Sequence, residues 1–133
     1  MANIEWNDNF SVGIAQLDDE HRQLIHMANT LYNAIKAGQG KTAAATILHE
    51  LKAYALTHFS HEEELMEQAQ YSGYAAHKQL HIAFSKKVEE YLDLFAKNLL
   101  PANQLLVILR DWLIHHICNV DREYMPFLKK DDV

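Results

Sequence analysis

One cysteine, two prolines and four glycines in 133 residues leave this sequence with little from which to build staples or loops. The lone Cys118 excludes an internal disulfide framework and any cysteine-rich zinc or iron–sulfur site. So little turn material implies few and short connections. No apolar run approaches the roughly 18 residues needed to span a bilayer. The segment Met1-Ala2-Asn3-Ile4-Glu5-Trp6 has neither a basic n-region nor an apolar h-region, so no targeting segment is expected and a cytoplasmic protein is. Basic charge is lacking too. With 12 Lys+Arg against 18 Asp+Glu the net charge is −6, which argues against a nucleic-acid partner, because phosphate neutralisation needs a basic face. A 49% hydrophobic and 23% charged composition argues against disorder, and the length suits one domain, residues 1–133.

What is present is a set of long amphipathic patterns. The first begins near Asp18-Asp19-Glu20, acidic residues suited to a helix N-terminus, and ends at Gly38-Gln39-Gly40. Its stripe carries His21, Leu24, Ile25, Ala28, Leu31 and Ile35. The second starts near Lys41-Thr42 and stops before Ser72-Gly73, with Leu48, Leu51, Ala55, His58, Glu62 and Met66 on one side. The third runs from about Ala75 to Lys97 through His77, His81, Phe84 and Val88. The fourth follows Pro101 and carries Leu105, Leu109, Trp112, His116 and Val120. Long helices joined by short breaks favour antiparallel neighbours, so the expected fold is all-α, an up-down-up-down four-helix bundle. The segment holding Ile4, Trp6, Phe10, Val12 and Ile14 is too apolar for a free tail and is expected to pack as an N-terminal arm.

Histidine is abundant: there are nine. A single histidine on an apolar stripe is ordinarily a satisfied core side chain. Here every helix places at least one there, and burying several imidazoles costs desolvation unless each finds a partner. A shared metal site would satisfy them together. His58 and Glu62 are four residues apart and project from one helix face, as do His77 and His81. His116 and Asp121 are five apart, which leaves Asp121 roughly 140° from His116 on a regular α-helix. Both reach one site only if the helix ends, bends or widens to a π-type turn near Cys118-Asn119-Val120. His26, His49, His61 and His115 lie off the stripes and are expected on the solvated surface, so His61→Ala and His115→Ala are expected to be nearly silent. Of Glu62-Glu63-Glu64 only the first is expected to point inward. Five histidines, one glutamate and one aspartate are too many for one tetrahedral zinc. They suit two octahedral ions sharing carboxylates, and the ligand types suit iron without excluding manganese or zinc.

The segments that carry these residues resemble the hemerythrins, specifically the single-domain bacteriohemerythrins. Phe10-Ser11-Val12-Gly13-Ile14 with Leu17-Asp18-Asp19-Glu20-His21 is similar to the family's N-terminal signature. His58-Phe59-Ser60-His61-Glu62-Glu63 resembles its HFxxEE motif, His77 to His81 its HxxxH, and Trp112 to Asp121 its WLxxHIxxxD. The resemblance runs from about Trp6 to Leu128. It implies a non-haem diiron centre, bridged by hydroxide or oxide, that binds O2 reversibly and is not an enzyme. By that resemblance His77, His81 and His116 hold one iron, His21 and His58 the other, and Glu62 and Asp121 bridge them. O2 is then expected at the open position of the two-histidine iron. Leu24, Phe59, Trp112, Leu113 and Ile117 resemble the family's apolar O2 pocket, and plain core packing is the alternative for each. Tyr124 and Glu20 are candidates for groups that orient ligands, or else are surface residues.

The function implied is an oxygen carrier, store or supplier, with an oxygen-consuming enzyme as a recipient and a monomer as the expected state. Two alternatives belong to other classes. A diiron oxidase, peroxidase or iron-storage protein of the ferritin-like kind uses Glu-x-x-His motifs, and this sequence contains none. An O2 or redox sensor would have to signal through a separate partner.

Overall fold

In the computed structural model, residues 4–128 are described. Four long helices form the body: α1 (Ala15–Lys36), α2 (Gly40–Gln68), α3 (Tyr74–Ala96) and α4 (Ala102–His115). A π-helical turn (His116–Val120), a 3-10 turn (Asp121–Tyr124) and a short α5 (Met125–Leu128) continue from α4. No strand occurs among the described residues. No described helix is long and apolar enough to cross a membrane.

The helices close as an antiparallel bundle because their connections are short and each turn is made the same way. Gly38, Gln70 and Asn98 take positive φ values of 81°, 54° and 60°. In each case the next residue's N–H reaches back to a carbonyl in the last helical turn: Gln39 to Ala34, Tyr71 to Met66, Leu99 to Leu94. Two of these three left-handed positions are not glycine, and so the sequence does not advertise them. Gly40 is glycine for a different reason. A Cβ there would lie 2.8 Å from Ile35 Cγ1, so α2 can start this close to the end of α1 only without a side chain.

Leu24, Ile25, Ala28, Leu48, Leu51, Ala55, Phe84, Val88, Leu105 and Leu109 join one buried cluster, which is the seam of the four stripes. Antiparallel order brings the first turns of α1 and α3 and the last turns of α2 and α4 to one end of the bundle, and that end carries the inward polar residues. α1 starts at Ala15, earlier than the acidic residues suggest. Asp18 does not cap it; from the first turn it accepts from Val12 N–H at 2.8 Å and Ser11 Oγ–H at 2.6 Å. This carboxylate ties the arm to the helix. The arm is held again at Asn29, whose side chain exchanges two hydrogen bonds of 2.8 Å with the backbone of Ile4. Phe10 and Val12 are buried beneath it.

Candidate metal centre

His21, His58, Glu62, His77, His81, His116 and Asp121 are all buried, none more than 4% exposed. They form two overlapping groups of potential metal ligands. One is Glu62, His77, His81, His116 and Asp121; the other is His21, His58, Glu62 and Asp121. Within each group the ligand atoms lie within 4.8 Å of one another.

The two carboxylates belong to both groups by geometry. Asp121 Oδ1 lies 3.0 Å from both His77 Nε2 and His116 Nε2, while its Oδ2 lies 3.1 Å from His21 Nε2. Glu62 Oε1 sits between His58 Nε2 at 3.2 Å and His81 Nε2 at 3.3 Å. The π-helical turn makes this arrangement possible. The Asp121 N–H donates to the His116 carbonyl, an i→i+5 bond that brings residues five apart back to one face. Of the three ways the spacing left open, the widened turn is the one the chain uses.

Every inward histidine presents Nε2. For three of them the opposite nitrogen is engaged: His21 Nδ1 with the Phe10 carbonyl at 3.3 Å, His58 Nδ1 with Glu20 at 2.7 Å, His81 Nδ1 with Glu63 at 2.8 Å. Such partners keep the proton on Nδ1 and leave the Nε2 lone pair for a metal. The site also contains atoms that no well-aligned hydrogen bond satisfies. His21 Nε2, His77 Nε2, Glu62 Oε1 and both Asp121 oxygens are buried within ion-pair range of an imidazole or carboxylate, yet none of them makes a hydrogen bond of good geometry. Native interiors rarely tolerate one such atom, and here several face each other in one place. His81 Nε2 and His116 Nε2 approach to 3.2 Å, a contact between two acceptors when both rings carry their proton on Nδ1. The donor set therefore fits metal ions better than it fits itself.

Electrostatics point the same way. Burial alone would push the Glu62 carboxyl up; His58, with His21 and His81, holds it well below the usual carboxylate range. Burial and the neighbouring Glu62 would both raise Asp121, and the imidazoles of His116 and His21 overcome them. At neutral pH both carboxylates are charged and are available as ligands.

Comparisons with known proteins show the family to which the chain belongs. The model of the Hemerythrin HHE cation binding domain matches residues 12–128. The chain belongs to the hemerythrin family. A bacteriohemerythrin of Pseudomonas paraeruginosa is 37% identical over 129 residues, covering 97% of this chain and 84% of that protein. A myohemerythrin of Sipunculus nudus is 32% identical over 120 residues, covering 90% and 88% of the two chains. The crystal structure of a wild-type hemerythrin superposes with a TM-score of 0.85 at 29% identity, covering 96% of this chain and 98% of that one.

Beside this buried cluster of the hemerythrin-family chain, Tyr124 is fully buried and its hydroxyl donates to Glu62 Oε2 at 2.5 Å. Burial, then Glu62 and Asp121, push the phenol well above its ordinary value, so it remains a donor. Tyr124→Phe leaves that oxygen without its donor and is expected to cost about 1–3 kcal/mol of stability. Thermal unfolding of the variant at matched metal content measures it.

Leu24, Phe59, Leu113 and Ile117 are buried and Trp112 is half-buried against them. The rings of Phe59 and Trp112 pack most closely on the three-histidine group, although Phe59 also lies 6.1 Å from the His58 ring. Phe59 stacks on His81 at 3.8 Å and Trp112 on His116 at 4.4 Å.

Two expectations about neighbouring residues need correction. His61 is half-buried rather than solvated, and its Nδ1 lies 2.6 Å from Glu20 Oε2. Glu63 is half-buried and accepts from His81. In both cases the partner sits on another helix, where a stripe drawn on α2 alone does not reach. The carboxylate of Glu20, next to His21 in sequence, was the signal available for His61. His26, His49 and His115 are exposed.

Proposed function

We propose that the chain is a single hemerythrin-like domain that binds O2 reversibly at a pair of non-haem iron ions. The observation that carries this reading is the sharing of Glu62 and Asp121 between a three-histidine and a two-histidine group. His77, His81 and His116 are assigned to one ion, His21 and His58 to the other, with both carboxylates common to the pair. When bound, the iron pair supplies reversible one-electron chemistry at each ion, which O2 capture and release require.

The protein's own part is positioning and exclusion. Glu62 and Asp121 offset the charge of two cations in a buried site. The bonds behind His21, His58 and His81 hold those rings with Nε2 inward. With three imidazoles against two, His21 and His58 would hold their ion with one protein ligand fewer than His77, His81 and His116 would theirs, and that asymmetry would favour a single place for O2. Leu24, Leu113 and Ile117 keep the surroundings apolar and hinder water, which favours release of O2 over its reduction. A histidine-rich, carboxylate-poor donor set without Glu-x-x-His also favours binding over oxidase turnover.

The test is optical. Ferrous protein exposed to O2 and then to vacuum should gain and lose one absorption spectrum over repeated cycles, with two irons per chain retained throughout. A single irreversible oxidation, or one zinc and no iron in the purified protein, overturns the reading.

A further inference from the structure

His61 lies three residues after His58 on α2, and both rings turn Nδ1 towards α1, where they share one carboxylate. Glu20 Oε1 takes His58 at 2.7 Å and Oε2 takes His61 at 2.6 Å. The Glu20 side chain is only 13% exposed and that of His61 35%. Glu20 immediately precedes His21, so this three-membered cluster ties α1 to α2 beside both histidines of the smaller group. The counterpart behind His81 is built differently. Glu63 has that one imidazole for a partner, and it borders an open groove between α2 and α3 with Ser60, Ser85 and Lys86.

The difference matters because a terminal carboxylate torsion is broad and soft. A carboxylate bonded through one oxygen can swing, and its other oxygen competes for water. One bonded through both oxygens to two imidazoles has its plane fixed. The ring bonded to it is then fixed as well, because a histidine ligand takes its orientation from the bond at its other nitrogen. His58 belongs to the group with four potential ligands, whereas the other group has five. A loss of orientation at His58 falls on the ion with fewer alternatives.

We propose that His61 is a positioning residue for the two-histidine group: by binding the second oxygen of Glu20 it fixes the carboxylate that orients His58, and so governs retention of the ion there. The proposal rests on the two-ion reading above. It reverses the expectation that His61→Ala is silent. Loss of a group directly behind a metal ligand costs roughly 10–100-fold in affinity. His61 stands one bond further back, so an effect of about tenfold is expected, confined to one of the two ions.

The experiment compares wild type, His61→Leu and His61→Asn. Each is loaded anaerobically with ferrous iron and challenged with a chelator, and iron per chain is followed by elemental analysis. Leu keeps bulk and removes the donor; Asn places an amide N–H where Nδ1 stood. Wild type and His61→Asn are expected to lose their second iron at similar rates, and His61→Leu about tenfold faster, with the first iron unaffected in all three. Glu20→Gln provides a second route that does not alter α2. It should lose the second iron at least as readily, and adding His61→Leu to it should change nothing further. Equal retention in wild type and His61→Leu overturns the proposal, as does equal loss in His61→Leu and His61→Asn. A wild-type chain that holds only one iron overturns the two-ion reading itself, a separate and distinguishable failure.

Discussion

Metal-free protein is expected to lose thermal stability as the pH rises from about 6.5 towards 10, while metal-loaded protein does not. In the metal-free fold His21 holds its proton up to about 10 and His58 up to about 9, against 6.5 for an ordinary histidine. Burial alone would lower both. Asp121 and Glu62 reverse it at His21, and Glu62 and Glu20 reverse it at His58. A folded-state pKa above the unfolded one means the stabilisation is complete below 6.5 and is lost as the pH climbs through 9 and 10. Each tenfold gain in proton affinity is worth about 1.4 kcal/mol, so these two buried groups together carry several kcal/mol. For a chain of this size the melting temperature should fall by roughly 10 °C or more. The depressed Asp121 and Glu62 are the same ion pairs seen from the other partner and are not counted again. Their share is present above the ordinary carboxylate range and is lost in acid. Metal ions take the place of those protons at Nε2, so the loaded protein should lack the alkaline decline. The measurement is the melting temperature of both forms against pH, taken as a difference so that lysines and exposed tyrosines cancel. Parallel curves would show that the imidazole–carboxylate cluster does not hold the metal-free core together.

How much of this was legible in the sequence depends on how far a side chain's partner lies along the chain. Stripe residues declare themselves locally. His58 with Glu62 and His77 with His81 share a helix face at a spacing of four, and the four helices follow from the same periodicity. Asp121 was legible as a contradiction: five residues after His116 it faces the wrong way on a regular helix, so the need for an irregular turn could be stated, though not which kind. The turn itself is set by hydrogen bonding that no residue type in Cys118-Asn119-Val120 encodes on its own. Helix ends were less visible. Asp18 looks like the start of α1 because it is acidic, yet it lies within the first turn, after the true start at Ala15, and bonds the arm. Gln70 and Asn98 close helices in a conformation usually marked by glycine. The partners of Glu20 and Glu63 were out of reach for a simpler reason. A residue just off one stripe is exposed only if no neighbouring helix brings something to it, and helix phase on a single element cannot say.

Removing the shared carboxylate should do more damage than removing a histidine that serves one group. His58→Ala reduces the smaller group to His21, Glu62 and Asp121 and leaves the larger one complete. One iron per chain should survive a chelator, and reversible O2 binding should disappear. Asp121→Ala removes a ligand from both groups at once and half of the negative charge that offsets the ions. It also strips His21, His77 and His116 of the oxygens now 3.0–3.1 Å from their Nε2 atoms. Taking one member from a buried ion pair costs about 3–5 kcal/mol, so part of the effect will be on the fold itself. Asp121→Asn separates the two contributions. It keeps the volume and one carbonyl oxygen, but it cannot lend a charged oxygen to each group. Helical content by circular dichroism should stay near wild type in Asp121→Asn, while no iron resists the chelator in Asp121→Ala and the second iron is lost in Asp121→Asn. If Asp121→Asn keeps two chelator-resistant irons, Asp121 is not a ligand common to both ions. The π-helical turn that carries it would then be a device of packing alone, and the two groups would have only Glu62 between them.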